Sequence, residues 1–344
     1  MTTFFHLCLF FLAAAVIWLL SGMLINATDR VAKRYQRPGF AVAFFVLGFL
    51  TSIGEMSVAF NSTVQRVPQV SAGNLVGGAI VIFFLIIPLL AIIGNGFETT
   101  KALRPRNLAF LLLIVLLPSF FCIDGDLSRS EGIVMLLLYV TLIFLLQKKH
   151  PSEEVARDAV VQVGAELTSH RRATAFDISK IAFGAVVIFI SGKVLVDEAV
   201  YFAELLQVPL SFIGLLLLAI GTNIPELVIA VRGVLGRHKD IAFGDYLGSA
   251  AANTLLIGLL AIVNGSFILE RSEFIPAFLL MGVGFTLFFI FARTKAFLSR
   301  WEGWVLFLLY IVFMVFQSVN VVHLVPRVHG SATVQAEGFV APAP

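Results

Sequence analysis

The chain has 344 residues, of which 59% are hydrophobic and only 13% charged, with a formal net charge of +3. That composition excludes a soluble domain and places the chain in a lipid bilayer. Its two cysteines, Cys8 and Cys122, form no spacing pattern. With no H-E-x-x-H, no P-loop and no cysteine nucleophile with a histidine partner, nothing supports catalysis.

Apolar runs of about 20 residues can each span a bilayer, and ten are drawn at 4–27, 39–63, 69–96, 107–122, 131–147, 177–199, 209–232, 241–265, 274–292 and 303–324. The first resembles a secretory signal only superficially. No basic residue precedes it, it is too long for a signal core, and Arg30, Lys33, Arg34 and Arg37 follow it, so it reads as a retained helix. His6 on this helix reads as interfacial. Helices 2 and 3 are joined by an outer turn with Arg66 and Pro68, and helices 4 and 5 by the turn Asp124-Gly-Asp126. The expected organisation is a first five-helix repeat at 1–147, a polar cytoplasmic linker at 148–176, a second repeat at 177–324 and a disordered tail at 325–344. Lys193, near Asp197 and Glu198, reads as a snorkelling side chain.

Loops 28–38, 97–106, 148–176, 233–240 and 293–302, with Arg232 beside one of them, hold eighteen of the twenty-four lysines and arginines. By the positive-inside rule these loops are cytoplasmic and both termini lie outside. Two halves of five spans each are then inserted upside down relative to one another, as in many secondary transporters. The reading is an integral protein of a bacterial or archaeal cytoplasmic (inner) membrane. Its expected partners are lipid and inorganic cations, without nucleic acid, and a monomeric state is expected.

Two polar motifs interrupt the apolar pattern. One is Thr51-Ser-Ile-Gly-Glu55, followed by Gly73-Asn-Leu-Val-Gly77; the other is Gly221-Thr-Asn-Ile-Pro-Glu226, followed by Gly244 through Asn253. Adding 171 to Thr51, Ile53, Glu55, Ala59, Gly73 and Gly77 gives Thr222, Ile224, Glu226, Ala230, Gly244 and Gly248, so the motif is an internal repeat of half the chain. Carboxylates at the centre of membrane spans are expensive and mark functional sites by default. Thr51 and Glu55, Thr222 and Glu226, and Ser249 and Asn253 are four apart and share helix faces. Pro225 cannot donate to the Gly221 carbonyl and frees that oxygen as a ligand. The paired glycines read as faces for close helix approach. Two carboxylates with several neutral oxygens suit a hard cation such as Ca²⁺. With two carboxylates only, one divalent cation is expected to exchange for about two monovalent ions or protons in a nearly electroneutral cycle.

At these residues the sequence resembles the cation/Ca²⁺ exchanger superfamily, which includes sodium/calcium and proton/calcium exchangers. Gly221 to Glu226 resembles the family's G-T-S-x-P-E, and Gly244 to Asn253 its G-N-x-x-G-S-N-x-x-[ND]; the first-half motifs resemble the corresponding first-repeat versions. The resemblance implies an all-α fold of ten transmembrane helices in two inverted repeats. It also implies Glu55 and Glu226 as central ligands, with Thr51, Ser52, Thr222, Asn223, Ser249, Asn253 and the Gly221 carbonyl around them. Gly54, Gly78, Ile82 and Asn223 depart from the family's pattern. The expected function is a secondary antiporter exchanging Ca²⁺ or a related divalent cation for Na⁺ or H⁺ by alternating access, with no resident cofactor. The alternatives are a proton- or Na⁺-coupled exchanger of another cation and, in other classes, a passive cation channel or an intramembrane enzyme.

Overall fold

Among the described residues the main helical segments are α1 (Thr2–Lys33), α2 (Ile53–Val64), α3 (Pro68–Ile93), α4 (Pro105–Phe121), α5 (Arg129–Gln147), α6 (Arg171–Leu206), α7 (Leu210–Thr222), α8 (Lys239–Asn264), α9 (Arg271–Thr294) and α10 (Arg300–Ala336). They are seen in a computed structural model that describes residues 2–33, 51–99, 105–147, 171–224, 226, 227, 230, 231, 239–294 and 296–336. Among the described residues seven of them, α1, α3, α4, α5, α8, α9 and α10, are long and apolar enough to cross a membrane. The expected linker lies outside the described residues up to position 170, and so does Pro225.

Two boundaries differ from the sequence reading. The sixth helix already begins at Arg171, inside the expected linker. The last helix passes through Pro326 to Ala336, where a disordered tail was expected. A proline removes one backbone hydrogen bond from the preceding turn, and here it does not end the helix.

The halves are alike down to their caps. Ser128 and Glu131 form a reciprocal capping box at the start of α5, and Ser299 and Glu302, each 171 residues further on, do the same at α10. Gly125 and Ala296, also 171 apart, both adopt left-handed backbone (φ 85° and 53°) just before these caps.

Four two-residue strands knot the halves together. β1 (Phe97–Glu98) pairs antiparallel with β4 (Phe297–Leu298), and β2 (Asp126–Leu127) with β3 (Phe267–Ile268). Each pair therefore joins one strand from each half. The first pair unites two of the five basic loops, and the second unites two turns that the charge pattern assigns to the opposite face.

The apolar interior has two parts. In one, Phe10, Ala14 and Ile17 of α1 pack with Leu195, Val196 and Ala199 of α6. The other is built by α3, α4, α5, α8, α9 and α10, with Phe83, Phe84 and Phe288 among its largest buried side chains. α3 crosses α7 in backbone contact. A Cβ on Gly73 or Gly77 would run into the Ser211 or Leu215 carbonyl, and one on Gly214 into the Val70 carbonyl. Three glycines are needed because no side-chain atom fits between the two backbones.

Candidate cation site

Both motifs fall where a helix is interrupted. Ser52 (φ −70°, ψ 7°) precedes α2, and Asn223 (φ −92°, ψ 11°) follows the last turn of α7. These positions are 171 apart, so the breaks are equivalent under the repeat. Irregular backbone at membrane depth persists only inside protein or along a cavity. Thr51, Ser52, Glu55, Thr222, Asn223 and Glu226 are all buried, at 0–1% exposure.

α8 runs alongside with Asp245, Ser249 and Asn253 on one face at i, i+4 and i+8, all buried. The equivalent stripe on α3 is Asn74, Gly78 and Ile82. Side chains from opposite halves meet repeatedly. Asn223 donates from Nδ2 to Glu55 Oε1 at 3.1 Å, and within the second half Ser249 Oγ donates to Glu226 Oε1 at 3.0 Å. Ser52 Oγ and Ser249 Oγ are 3.1 Å apart. Thr222 Oγ1 donates to Asn74 Oδ1 at 3.2 Å, and Thr51 Oγ1 to Asp245 Oδ1 at 3.3 Å. Thr222 also lies within hydrogen-bonding reach of Glu55, and Thr51 of Glu226. Tyr246 Oη donates to the Glu226 carbonyl at 3.3 Å and steadies the second motif from α8.

Five buried oxygens of this network have no hydrogen-bond partner among the described residues: Glu55 Oε2, Glu226 Oε2, Asp245 Oδ2, Asn223 Oδ1 and Asn253 Oδ1. Buried polar atoms are ordinarily paired, and buried carboxylates strongly so. None of the ion pairs among the described residues involves Glu55, Glu226 or Asp245. Among the described residues no three His, Cys, Asp or Glu side chains gather tightly enough to hold a metal alone. The arrangement therefore suits a cation held by a mixture of carboxylate and neutral oxygens.

All nine residues singled out in the sequence lie at or beside the two breaks and on the facing side of α8. Gly221 is in the last turn of α7, with its Cα toward Phe10 and Ala14 of α1. Gly54 stands against Ile17 and the Thr222 backbone, so the first motif touches the second directly. Gly78 leaves room that two amides use: a Cβ there would meet Asn253 Nδ2 at 2.8 Å and Asn223 Nδ2 at 3.0 Å.

Two residues escaped the sequence reading. Asn74 and Asp245 each follow the first glycine of their glycine pair and are 171 apart, which was the available signal. Asp245 corrects the charge count: the network contains three buried carboxylates where two were counted.

A buried polar network at interrupted helices, shared between two inverted halves, is the arrangement of an ion-coupled membrane transporter, and comparison with known proteins narrows the class. A profile of the family described as "Sodium/calcium exchanger protein" matches residues 5–147 and 178–319, one block in each half. The chain belongs to that family and is a cation antiporter, not an enzyme. It is 26% identical over 321 residues to the sodium/calcium exchanger MaX1 of Methanosarcina acetivorans, covering 84% of this chain and 91% of the relative. It is also 27% identical over 245 residues to the inner membrane protein YrbG of Escherichia coli, covering 70% and 74%. The fold is similar to that of the sodium-calcium exchanger NCX_Mj soaked with Na⁺ and Sr²⁺, with a TM-score of 0.63, 21% identity and coverage of 90% and 97%.

Proposed function

We propose that this protein exchanges Ca²⁺, or a divalent cation of similar hardness, for a monovalent cation across a cytoplasmic membrane, with Glu55 and Glu226 as the central ligands. The observation that carries this reading is the pair of unpartnered, fully buried carboxylate oxygens, one from each half, beside equivalent helix breaks. Ca²⁺ takes about 6–8 oxygens at flexible geometry. Thr51, Ser52, Thr222, Asn223, Ser249, Asn253 and the Gly221 carbonyl supply neutral oxygens around the two glutamates. The names of the relatives, exchangers and antiporters, agree with this substrate class.

The two apolar clusters support a cycle of alternating access. α1 and α6 pack together in one apolar cluster, joined by Val58 of α2, Val70 of α3 and Ile213 and Leu218 of α7, while α4, α5, α8, α9 and α10 lie in the other, with α3 and α7 contributing to both. Rocking one group against the other exposes a fixed site to each face in turn. The basic loops put both termini outside. Uptake of labelled Ca²⁺ into everted vesicles, driven separately by a Na⁺ gradient and by a pH gradient, tests the reading and selects the coupling ion. No uptake under either gradient would reject it.

A further inference from the structure

The two halves of the site are nearly superimposable as a pattern of contacts. In one arm Thr222 stands between Glu55 and Asn74; in the other Thr51 stands between Glu226 and Asp245. Every member of one arm is 171 residues from its counterpart, and every chemical type matches except one. Where the first arm has a neutral amide the second has a carboxylate. Asp245 is 0% exposed, its Oδ1 accepts from Thr51, and its Oδ2 has no partner. No lysine or arginine among the described residues forms an ion pair with it.

A carboxylate so placed needs a cation in at least one state of the cycle, because an isolated buried charge is heavily penalised. The divalent ion does not meet that need, since Glu55 and Glu226 already balance two charges. We propose that Asp245 holds one monovalent metal cation on Oδ2 and so sets how many monovalent cations are carried per divalent cation. This rests on the exchanger reading above and goes beyond it: the coupling ratio is assigned to one side chain outside the glutamate pair. It also replaces the electroneutral expectation, because three carboxylates carry one charge more than two.

The test uses the full chain reconstituted in vesicles with Na⁺ and Ca²⁺ as the ions, reading the reversal potential of the exchange current. Asp245→Asn is nearly isosteric, and Asn74 shows that an amide is accommodated in the same setting, so the variant is expected to fold. It should exchange Ca²⁺ with one fewer Na⁺ per cycle than the parent chain, so that labelled Ca²⁺ uptake on a Na⁺ gradient persists while the exchange current is lost, two Na⁺ for one Ca²⁺ moving no net charge. Asp245→Ser, neutral and smaller, should give the same one-charge step if the asparagine docks differently. An unchanged coupling ratio in both variants overturns the inference, as it would if Asp245 simply kept a proton throughout. Loss of Ca²⁺–Ca²⁺ exchange together with Na⁺–Ca²⁺ exchange in both overturns it too, since that is the behaviour of a central divalent ligand. A parent chain that moves no Ca²⁺ under any gradient would reject the exchanger reading itself. The two failures are therefore distinguishable.

Discussion

Asn223 donates to Glu55 Oε1 at 3.1 Å, although the two residues come from opposite halves of the chain and are 168 positions apart. The same amide nitrogen also donates to the Ala219 carbonyl at 2.8 Å, at the end of α7. One side chain thus stitches the broken end of α7 to the glutamate of α2, leaving its own Oδ1 unpartnered for a cation. A hydrogen bond to a charged group contributes about 1.5–3 kcal/mol. Asn223→Ala should therefore lower divalent affinity roughly 10- to 100-fold, measured from the concentration dependence of labelled Ca²⁺ uptake. Unchanged affinity would leave Asn223 as packing alone.

Glu55→Gln and Glu226→Gln keep shape while removing the charges proposed to balance a divalent ion. Each should abolish exchange while the protein remains folded in the membrane, by vesicle uptake and thermal melting in detergent. Full activity of either variant would remove that glutamate from the site.

Gly77 and Gly78 are adjacent in sequence and should respond in opposite ways. A Cβ at Gly77 collides with the Leu215 backbone and Ala219, so Gly77→Ala should force α3 from α7 and destabilise the fold by about 3 kcal/mol or more. A Cβ at Gly78 meets only the ends of the Asn253 and Asn223 amides, which can turn away. Gly78→Ala should melt close to the parent temperature yet bind divalent cations more weakly. Equal thermal losses at both positions would contradict the packing described here.

Glu273 tests whether every buried acid belongs to the site. It is 1% exposed, Ser211 of α7 lies within hydrogen-bonding reach of its carboxylate, and Gln317 donates to its backbone carbonyl at 2.7 Å. Because it lies in the first turn of α9, away from both helix breaks, Glu273→Gln should leave exchange and coupling ratio unchanged. Its melting temperature should match or exceed the parent's, since a neutral side chain of the same shape is easier to bury. A changed coupling ratio would place Glu273 on the ion path.

The topology is checked by a single cysteine at position 160 in a chain lacking Cys8 and Cys122. It should react with an impermeant thiol reagent only from the cytoplasmic side, because the basic residues cluster on alternate loops. Labelling from outside alone would invert the molecule.

Much of this protein was legible in the sequence because membrane insertion is governed by local properties. Apolar run length located most of the helices, and the 171-residue offset exposed the repeat without any structure. The same offset aligned Glu55 with Glu226, since costly buried polar groups stand out against Leu, Ile and Phe. Three things were decided only by the tertiary structure. Sequence spacing shows which side chains share a helix face, but not which face meets which. The crossing of α3 with α7 through Gly73, Gly77 and Gly214 therefore appeared only when both backbones were in place. The equivalence of Asn74 and Asp245 was present in the offset, yet its meaning depended on Thr222 and Thr51 reaching across from the other half. The third carboxylate, invisible as a ligand in the linear motif, became part of the site because the chain's two inverted halves interlock, and contact between distant segments is not written in local spacing.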